Sequence, residues 1–273
     1  MKLLSLNTHS WVQTQDPSAY AALIADIIES DYDAIALQEV NQLSVNEAVI
    51  QPLGYVATQA DIPIKENNFA YFLVKALAEK NVHYNWSWVP CHLGYDIYDE
   101  GVAVLCKQPI QSVQHIQLSN ENDFTSILTR FAMVVETATE TLVSIHLSWW
   151  KNEGENPFLQ EWNRLEEGLS KQMESECPIF ILGDVNNPAD VRGEGYDFII
   201  NSNWFDAYQA AEVKSGSATV PPAIDGWADN EVPLRIDYVF SNHDYEVEKY
   251  EIKFDGDNLP LVSDHYGVAV IYK

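Results

Sequence analysis

Near its C-terminus the chain sets a carboxylate directly beside an imidazole, in Leu261-Val262-Ser263-Asp264-His265. Four other segments place an amide, acid or imidazole after a short apolar run. They are Leu6-Asn7, Leu37-Gln38-Glu39-Val40, Ser144-Ile145-His146-Leu147 and Gly183-Asp184-Val185-Asn186. Such runs read as buried strands, so each polar group stands where a strand leaves the core. Taken singly, each has an ordinary explanation. A lone Glu there is usually a solvated strand end, a Gly-Asp usually a turn, and a lone His usually a hydrogen-bonded core residue. Five such sites along one chain predict strand ends converging on metal-assisted hydrolysis of a phosphate ester.

That chemistry needs charge neutralisation, an activated water and donors for the developing oxyanion. Mg²⁺ prefers a few carboxylate or amide oxygens. Glu39 suits its principal ligand, with Asn7 assisting and Asp264 as a further candidate. Mn²⁺ is an expected substitute. Asp184 suits the group that orients or deprotonates water, and Asn186 could offer its amide to the phosphoryl group. His146 and His265 suit donors to phosphate oxygens. Asp237, in Arg235-Ile236-Asp237-Tyr238, suits the carboxylate that fixes an imidazole tautomer. The candidate substrate contacts are His9, Trp149, Trp150 and Arg235.

The elements that would position these groups follow from hydrophobic period. Residues 2–7 and 33–37 read as strands flanking a helix over 17–30, with Asp16 as its N-cap. A short helix is expected at 46–51, strands at 55–58 and 69–74, and a functional aromatic loop at 84–100. Strands are expected at 101–106 and 110–117, then an antiparallel pair at 130–136 and 141–147. A helix over 156–175 precedes a strand at 178–182 and a short helix at 202–211. A long loop at 216–234 leads to strands at 235–241, 245–254 and 266–272. Strands outnumber helices, and helices separate strand clusters in each half. The expected class is α/β: a four-layer sandwich of two mostly antiparallel sheets packed face to face, with helices outside.

Composition narrows the partners. At 273 residues and 47% hydrophobic, the chain has ample core material, and residues 1–273 read as one domain. The 41 acids against 15 bases give a net charge of −26, which should repel a long polyanion. A small phosphorylated ligand is less affected, since surface fields are screened beyond about 8 Å at physiological salt. Cys91, Cys106 and Cys177 match no zinc spacing and no disulfide framework, and Cys106 reads as a core residue. The first residues lack a signal-peptide core, and no apolar run nears the roughly 20 residues needed to span a bilayer. A cytoplasmic protein without membrane contact is expected.

The ordered set resembles the endonuclease/exonuclease/phosphatase superfamily, the magnesium-dependent, DNase I-like group. Leu6-Asn7 and Gln38-Glu39 resemble its first two strand motifs, and Gly101-Val102-Ala103-Val104-Leu105 through Pro109-Ile110 its glycine-led central strand. His146 resembles the strand-end histidine of the phosphatase and DNase I branches. Asp184 with Asn186 resembles the Gly-Asp-Xaa-Asn motif, Asp237 the acid paired with the last histidine, and Asp264-His265 the terminal Ser-Asp-His. The resemblance implies that Glu39 is the metal ligand and that the chain is an active hydrolase.

Substrate identity is left to finer features. Eight tryptophans are many for this length, and Trp11, Trp86, Trp88, Trp149, Trp150 and Trp227 fall in or beside expected specificity loops. An indole face packs well on a sugar, which favours a phosphomonoesterase acting on a phosphorylated sugar. The opening Leu6-Asn7-Thr8-His9-Ser10-Trp11 and the later Ser148-Trp149-Trp150 resemble a subgroup that includes a maltose 6'-phosphate phosphatase. The alternative is a nuclease or other phosphodiesterase. It would need a basic groove built from Lys65, Lys75, Lys107, Arg130, Lys151, Arg164, Arg192 and Arg235. A non-catalytic binding module is the remaining reading and the one least compatible with an intact catalytic set.

Overall fold

A computed structural model describes residues 1–12, 17–60, 62–224, 227 and 229–273. Its first half contains β1 (Lys2–Asn7), α1 (Pro17–Ser30), β2 (Ala34–Leu43), α2 (Phe69–Ala78), β3 (Asn85–Gly94), β4 (Tyr98–Cys106) and β5 (Ser112–Gln117). Next come β6 (Phe131–Glu136), β7 (Thr141–His146), α3 (Pro157–Gly168), α4 (Ser170–Met173), β8 (Ile179–Asp184) and α5 (Gly195–Asn201). The chain closes with β9 (Phe205–Asp206), α6 (Ala207–Ala210), β10 (Ala211–Ser215), β11 (Asp237–Ser241), β12 (Val247–Lys253) and β13 (Gly267–Tyr272).

The strands form a sheet of seven in the order β10-β12-β13-β1-β2-β4-β3 and a sheet of six in the order β5-β6-β7-β8-β11-β9. Neighbours are antiparallel except at β10–β12, β1–β2 and β7–β8. Side chains alternate across each strand, so one strand serves two layers. Leu4 and Leu6 of β1 pack with Leu23 and Ile27 of α1 and Leu73 and Leu77 of α2. Leu3, on the opposite face, joins Val102 and Val104 of β4 against Met133, Leu142, Leu182 and Val239 of the second sheet. The far face of that sheet, through Val134, Val143 and Ile145, receives Phe158, Trp162 and Leu165 of α3. The result is a four-layer α/β sandwich with helices outside both sheets. No helix of the described residues is long and apolar enough to cross a membrane.

Local structure departs from the sequence expectation in several places. Residues 69–74 are not a strand but the start of α2, capped by the Asn68 side chain, which accepts from the Tyr71 N–H. The segment is apolar nearly all round, so a six-residue window hides the helical repeat that buries Phe69, Ala70, Leu73, Val74 and Leu77. Residues 84–100 are not a loop but most of the β3–β4 hairpin, turned at Tyr95 and Asp96, both with positive φ. Pro90 misled the reading, yet β3 is an edge strand and Pro90 sits beside a register irregularity, where proline is tolerated. Trp86 and Trp88 are accordingly core residues, not specificity contacts. Residues 46–51 form bends around the isolated bridge Ala48↔Lys65, not a helix. Residues 55–58 contribute only the bridge Tyr55↔Trp86. Residues 202–211 divide between β9 and the four-residue α6, and α5 was not foreseen. The expected Asp16 cap lies outside the described residues. All three cysteines are free, with Cys91 and Cys106 buried.

Candidate active site

Strand polarity brings the polar tips to one edge. β1 and β2 are parallel with Asn7 opposite Gln38, so Asn7 and Glu39 emerge together. In the other sheet β7 and β8 are parallel with His146 opposite Asp184. β11 runs antiparallel to β8 with Asp237 opposite Asp184, so it begins where β7 and β8 end. Asp264 and His265 precede β13 and complete the set.

Two side-chain groups meet there. In the first, His9 Nδ1 lies 2.9 Å from Glu39 Oε2 and 3.8 Å from Asp264 Oδ1. In the second, ligand-capable atoms of Asp184, Asp237 and His265 all lie within 4.8 Å of one another. Asn7 joins the two groups: its Nδ2 donates to Glu39 Oε1 at 2.9 Å and to Asp184 Oδ2 at 3.1 Å. His146 Nε2 and His265 Nε2 approach the same Asp184 oxygen at 3.6 and 3.7 Å. Asn7, Asp237, His146 and His265 thus all touch or face Asp184.

Glu39 occupies a strained position. Its φ is +48°, at a register irregularity between Leu37 and Val40 where β2 bulges against β4. Hydroxyls hold the bulge. Thr8 Oγ1 donates to the carbonyls of Gln38 and Glu39, and Ser10 Oγ donates to the Glu39 carbonyl while accepting from the Asn41 N–H. Backbone strain of this kind aims a side chain away from the regular pleat.

Gly183 explains the Gly-Asp pair. Its φ is +151°, and a Cβ there would meet the Ile145 carbonyl oxygen at 2.0 Å. Strained backbone costs about 1–3 kcal/mol, so Gly183→Ala should destabilise the fold by at least about 2 kcal/mol, before any activity loss, because β7 and β8 must also part. Urea denaturation measures this; an unchanged midpoint would show that the strands have slack.

Electrostatics separate the roles. Burial and then the facing Asp237 raise the Asp184 carboxyl to about 7. Burial would lower His265, but Asp237 and Asp184 raise it to about 10, with Nδ1 3.0 Å from Asp237 Oδ2. His9 likewise rises to about 9 against its burial, through its hydrogen bond to Glu39. Burial opposes ionisation of Glu39, yet that same bond from His9 holds it well below the usual carboxylate range. His146 is driven well below the usual histidine value, by burial first and Arg130 second. The site therefore offers two imidazolium donors, one neutral imidazole and several carboxylates.

The remaining candidates divide. Asn186, with φ +54°, donates its N–H to Asp184 Oδ1 at 2.9 Å. Its amide is held between the Leu147 carbonyl and Trp227 Nε1. Trp149 is 39% exposed and lines a cavity of about 290 Å³ that opens two residues beyond His146. Trp150 instead packs on Phe158 and donates to Asn152. Arg235 does not join the cluster: its guanidinium pairs with Asp206 at 2.8 Å and stacks among Tyr196, Tyr208 and Tyr238. It is the buried cation of an aromatic box, so the expected substrate contact is corrected.

Sequence reading did not assign Thr8, Ser10 or Tyr95, whose hydroxyl lies 3.5 Å from His9 Nε2, nor a site role for Arg130, whose Nη1 lies 3.3 Å from His146 Nδ1. The hydroxyls flanking His9 were a readable signal, since they follow a strand end that must turn. Arg130 carried no such signal, since the register Met133↔Ser144, carried two residues further, sets Phe131 and not Arg130 opposite His146.

Residues 6–265 match the Endonuclease/Exonuclease/phosphatase family. The chain belongs to that family. No curated protein matches it in sequence. A family protein of known structure from Leptotrichia buccalis is 27% identical, with a TM-score of 0.84 over 100% of this chain and 99% of that one. A mannosyl-6-phosphatase from Bacteroides thetaiotaomicron is 15% identical, with a TM-score of 0.63 over 100% and 99% of the two chains. A Neisseria 3' phosphatase bound to a product DNA hairpin is 14% identical, with a TM-score of 0.64 over 100% and 99%. These last two share the fold, and at such identity they carry no substrate across.

The donor set fits the divalent ion this family uses. Buried carboxylates converge without lysine among them, and burial with the facing Asp237 pushes Asp184 up. Oxygen donors suit a hard cation. The proximal trio Asp184, Asp237 and His265 includes a nitrogen, which suits a softer ion, and His265 is already bonded to Asp237. Glu39 and Asp264 offer oxygen alone, and Asn7 would join them by turning toward the ion the amide oxygen that now accepts from the His9 N–H.

Proposed function

We propose that this single-domain chain, residues 1–273, is a Mg²⁺-dependent phosphomonoesterase that hydrolyses a small phosphorylated sugar in the cytoplasm. The observation that carries the sugar is the cavity lined by Ser148 and Trp149, two and three residues beyond His146 in the chain. Its wall includes Asn120, Glu121, Ser148, Trp149, Glu155 and Gln160. Acids and amides accept hydrogen bonds from hydroxyls, and the exposed indole offers a flat apolar face. A ribbon of nucleic-acid phosphates would meet repulsion from Glu121, Glu155 and Glu161 that the one cation of this wall, Lys151, offsets only in part. Three of the eight basic residues that a nuclease groove would draw on are paired with acids: Lys107 with Asp31, Arg192 with Asp197, and Arg235 with Asp206. The strings from Leu6 to Trp11 and from Ser148 to Trp150 favour, within this class, a disaccharide such as maltose 6'-phosphate.

Glu39 and Asn7, with Asp264 adjacent, would hold the Mg²⁺, or Mn²⁺ in its place, which when bound neutralises charge on the phosphoryl group. The chain's own residues do the rest. Asp184, fixed by the Asn186 N–H, orients water for in-line attack and receives its proton, while the P–O bond to the sugar breaks and the leaving oxygen takes up a proton from solvent. His265, kept charged and oriented by Asp237, donates to a phosphoryl oxygen, as does the Nε2–H of His146. Asn186 offers its remaining amide hydrogen. His9 steadies Glu39, and Trp149 carries the sugar.

A screen of purified protein with Mg²⁺ against sugar phosphates, inositol phosphates, nucleotides and plasmid DNA tests this. Phosphate release from a sugar phosphate is expected; DNA nicking without it would reverse the reading in favour of a nuclease. Trp149→Ala should raise KM for the sugar phosphate by about 3- to 10-fold, the worth of one aromatic contact. Turnover of p-nitrophenyl phosphate, which has no sugar, should be unchanged. Equal loss on both substrates would remove Trp149 from the sugar site.

A further inference from the structure

Arg130 is a buried cation without an acid. It is 8% exposed and immediately precedes β6. Its backbone N–H donates to Ser119 Oγ at 2.9 Å. Its Nη1 meets His146 Nδ1 at 3.3 Å, and its buried Nε has no hydrogen-bond partner. Among the described residues no carboxylate oxygen lies within salt-bridge distance of it, whereas the other buried arginine, Arg235, holds Asp206 at 2.8 Å. Glu161 lies within electrostatic range, but its two oxygens each accept from Ser148 at 2.7 Å. In a chain with 41 acids and 15 bases, an acid partner was easily available. Burying a guanidinium without one is costly unless an anion from outside completes the pair.

The neighbouring groups indicate which anion. A guanidinium only donates, so His146 Nδ1 accepts, and the His146 proton sits on Nε2, facing Asp184. Arg130 thus flanks the imidazole that faces the reaction centre, and its donors other than Nη1, the unpartnered Nε among them, are left for an anion. We propose that Arg130 receives the non-bridging oxygens of the substrate phosphate and selects a dianionic monoester over a singly charged diester. The proposal rests on the phosphomonoesterase reading and adds its charge selection. A forked guanidinium matches phosphate geometry, and the second negative charge of a monoester is the one a diester lacks.

The test compares Arg130→Met and Arg130→Lys with the wild type, in Mg²⁺, on p-nitrophenyl phosphate and bis(p-nitrophenyl) phosphate. Inorganic phosphate serves as inhibitor and as calorimetric ligand. A charge-assisted contact predicts that Arg130→Met lowers monoester kcat/KM by about 10- to 100-fold and weakens phosphate binding by about 10-fold. Diester kcat/KM should move less than about 3-fold, and Arg130→Lys should recover part of the monoester loss. Equal losses on both esters would mean that Arg130 only steadies His146 and would overturn the proposal. So would unchanged phosphate binding. Should Arg130→Met fail to fold, calorimetry on Arg130→Lys decides, with binding equal to wild type as the overturning result. A wild type that cleaves only the diester would sink the phosphomonoesterase reading itself, a separate outcome from phosphate binding indifferent to residue 130.

Discussion

Asp184→Asn should lower kcat/KM for any phosphate ester by about 10³-fold, within the range expected for a lost general base, while leaving the folded state at least as stable. The two effects share one cause. Asp184 sits fully buried at the end of β8, opposite Asp237 in the register, with its carboxyl raised to about 7 by burial and by that facing acid. A buried carboxylate held that high disfavours its own ionisation, and an amide of the same shape removes the difficulty. The Asn186 N–H can still donate to the side-chain oxygen, while the new NH2 forfeits the bond that Oδ2 accepts from Asn7, a loss smaller than the relief. The amide cannot take a proton from water, so chemistry is lost where strain is relieved. Thermal unfolding in excess chelator, beside kinetics in Mg²⁺, separates the two readouts. Near-normal turnover would strip Asp184 of its proposed role, and a large drop in melting temperature would show that its charge is structural.

The legible part of this site was the part set by strands that end abruptly. Asn7, Glu39, His146, Asp184 and Asp237 each follow or begin a buried run, and parallel or antiparallel registry then forces them to one edge. Period-2 alternation likewise gave the layers, since Leu3 and Leu4 of one strand serve different cores. What failed were segments whose local signal is uniform or misleading. The apolar run of α2 has too little polarity to reveal its period. The β3 hairpin is rich in turn formers, yet pairing with β4 overrides them, because thirteen strands in two sheets leave few edges and β3 supplies one. Arg235 failed for another reason. Its neighbourhood in sequence is catalytic, but the alternation of β11 and its approach turns it toward Asp206 and the rings of Tyr196 and Tyr208, contacts 27 to 39 residues upstream that no local pattern records.

Removal of divalent metal should abolish activity, and Mg²⁺ or Mn²⁺ should restore it. Which residues respond then locates the ion. If oxygen donors on the first group hold it, Glu39→Gln should raise the Mg²⁺ concentration for half-maximal activity by at least about 10-fold, the loss typical of a weakened ligand set. The His9 pairing sharpens the point. His9 Nδ1 lies 2.9 Å from Glu39 Oε2, so a cation on that carboxylate competes with the imidazolium for one charge. His9→Gln should therefore tighten or preserve metal binding even where it slows turnover, while Glu39→Gln weakens it. The alternative is an ion seated among Asp184, Asp237 and His265, whose ligand-capable atoms already lie within 4.8 Å of one another. That arrangement predicts the reverse: His265→Ala shifts the metal titration and Glu39→Gln does not. Calorimetry with Mn²⁺ on the three variants, without substrate, reads the difference directly. A titration unmoved by Glu39→Gln would take the metal away from the bulge of β2 and leave its strained backbone without the purpose assigned to it.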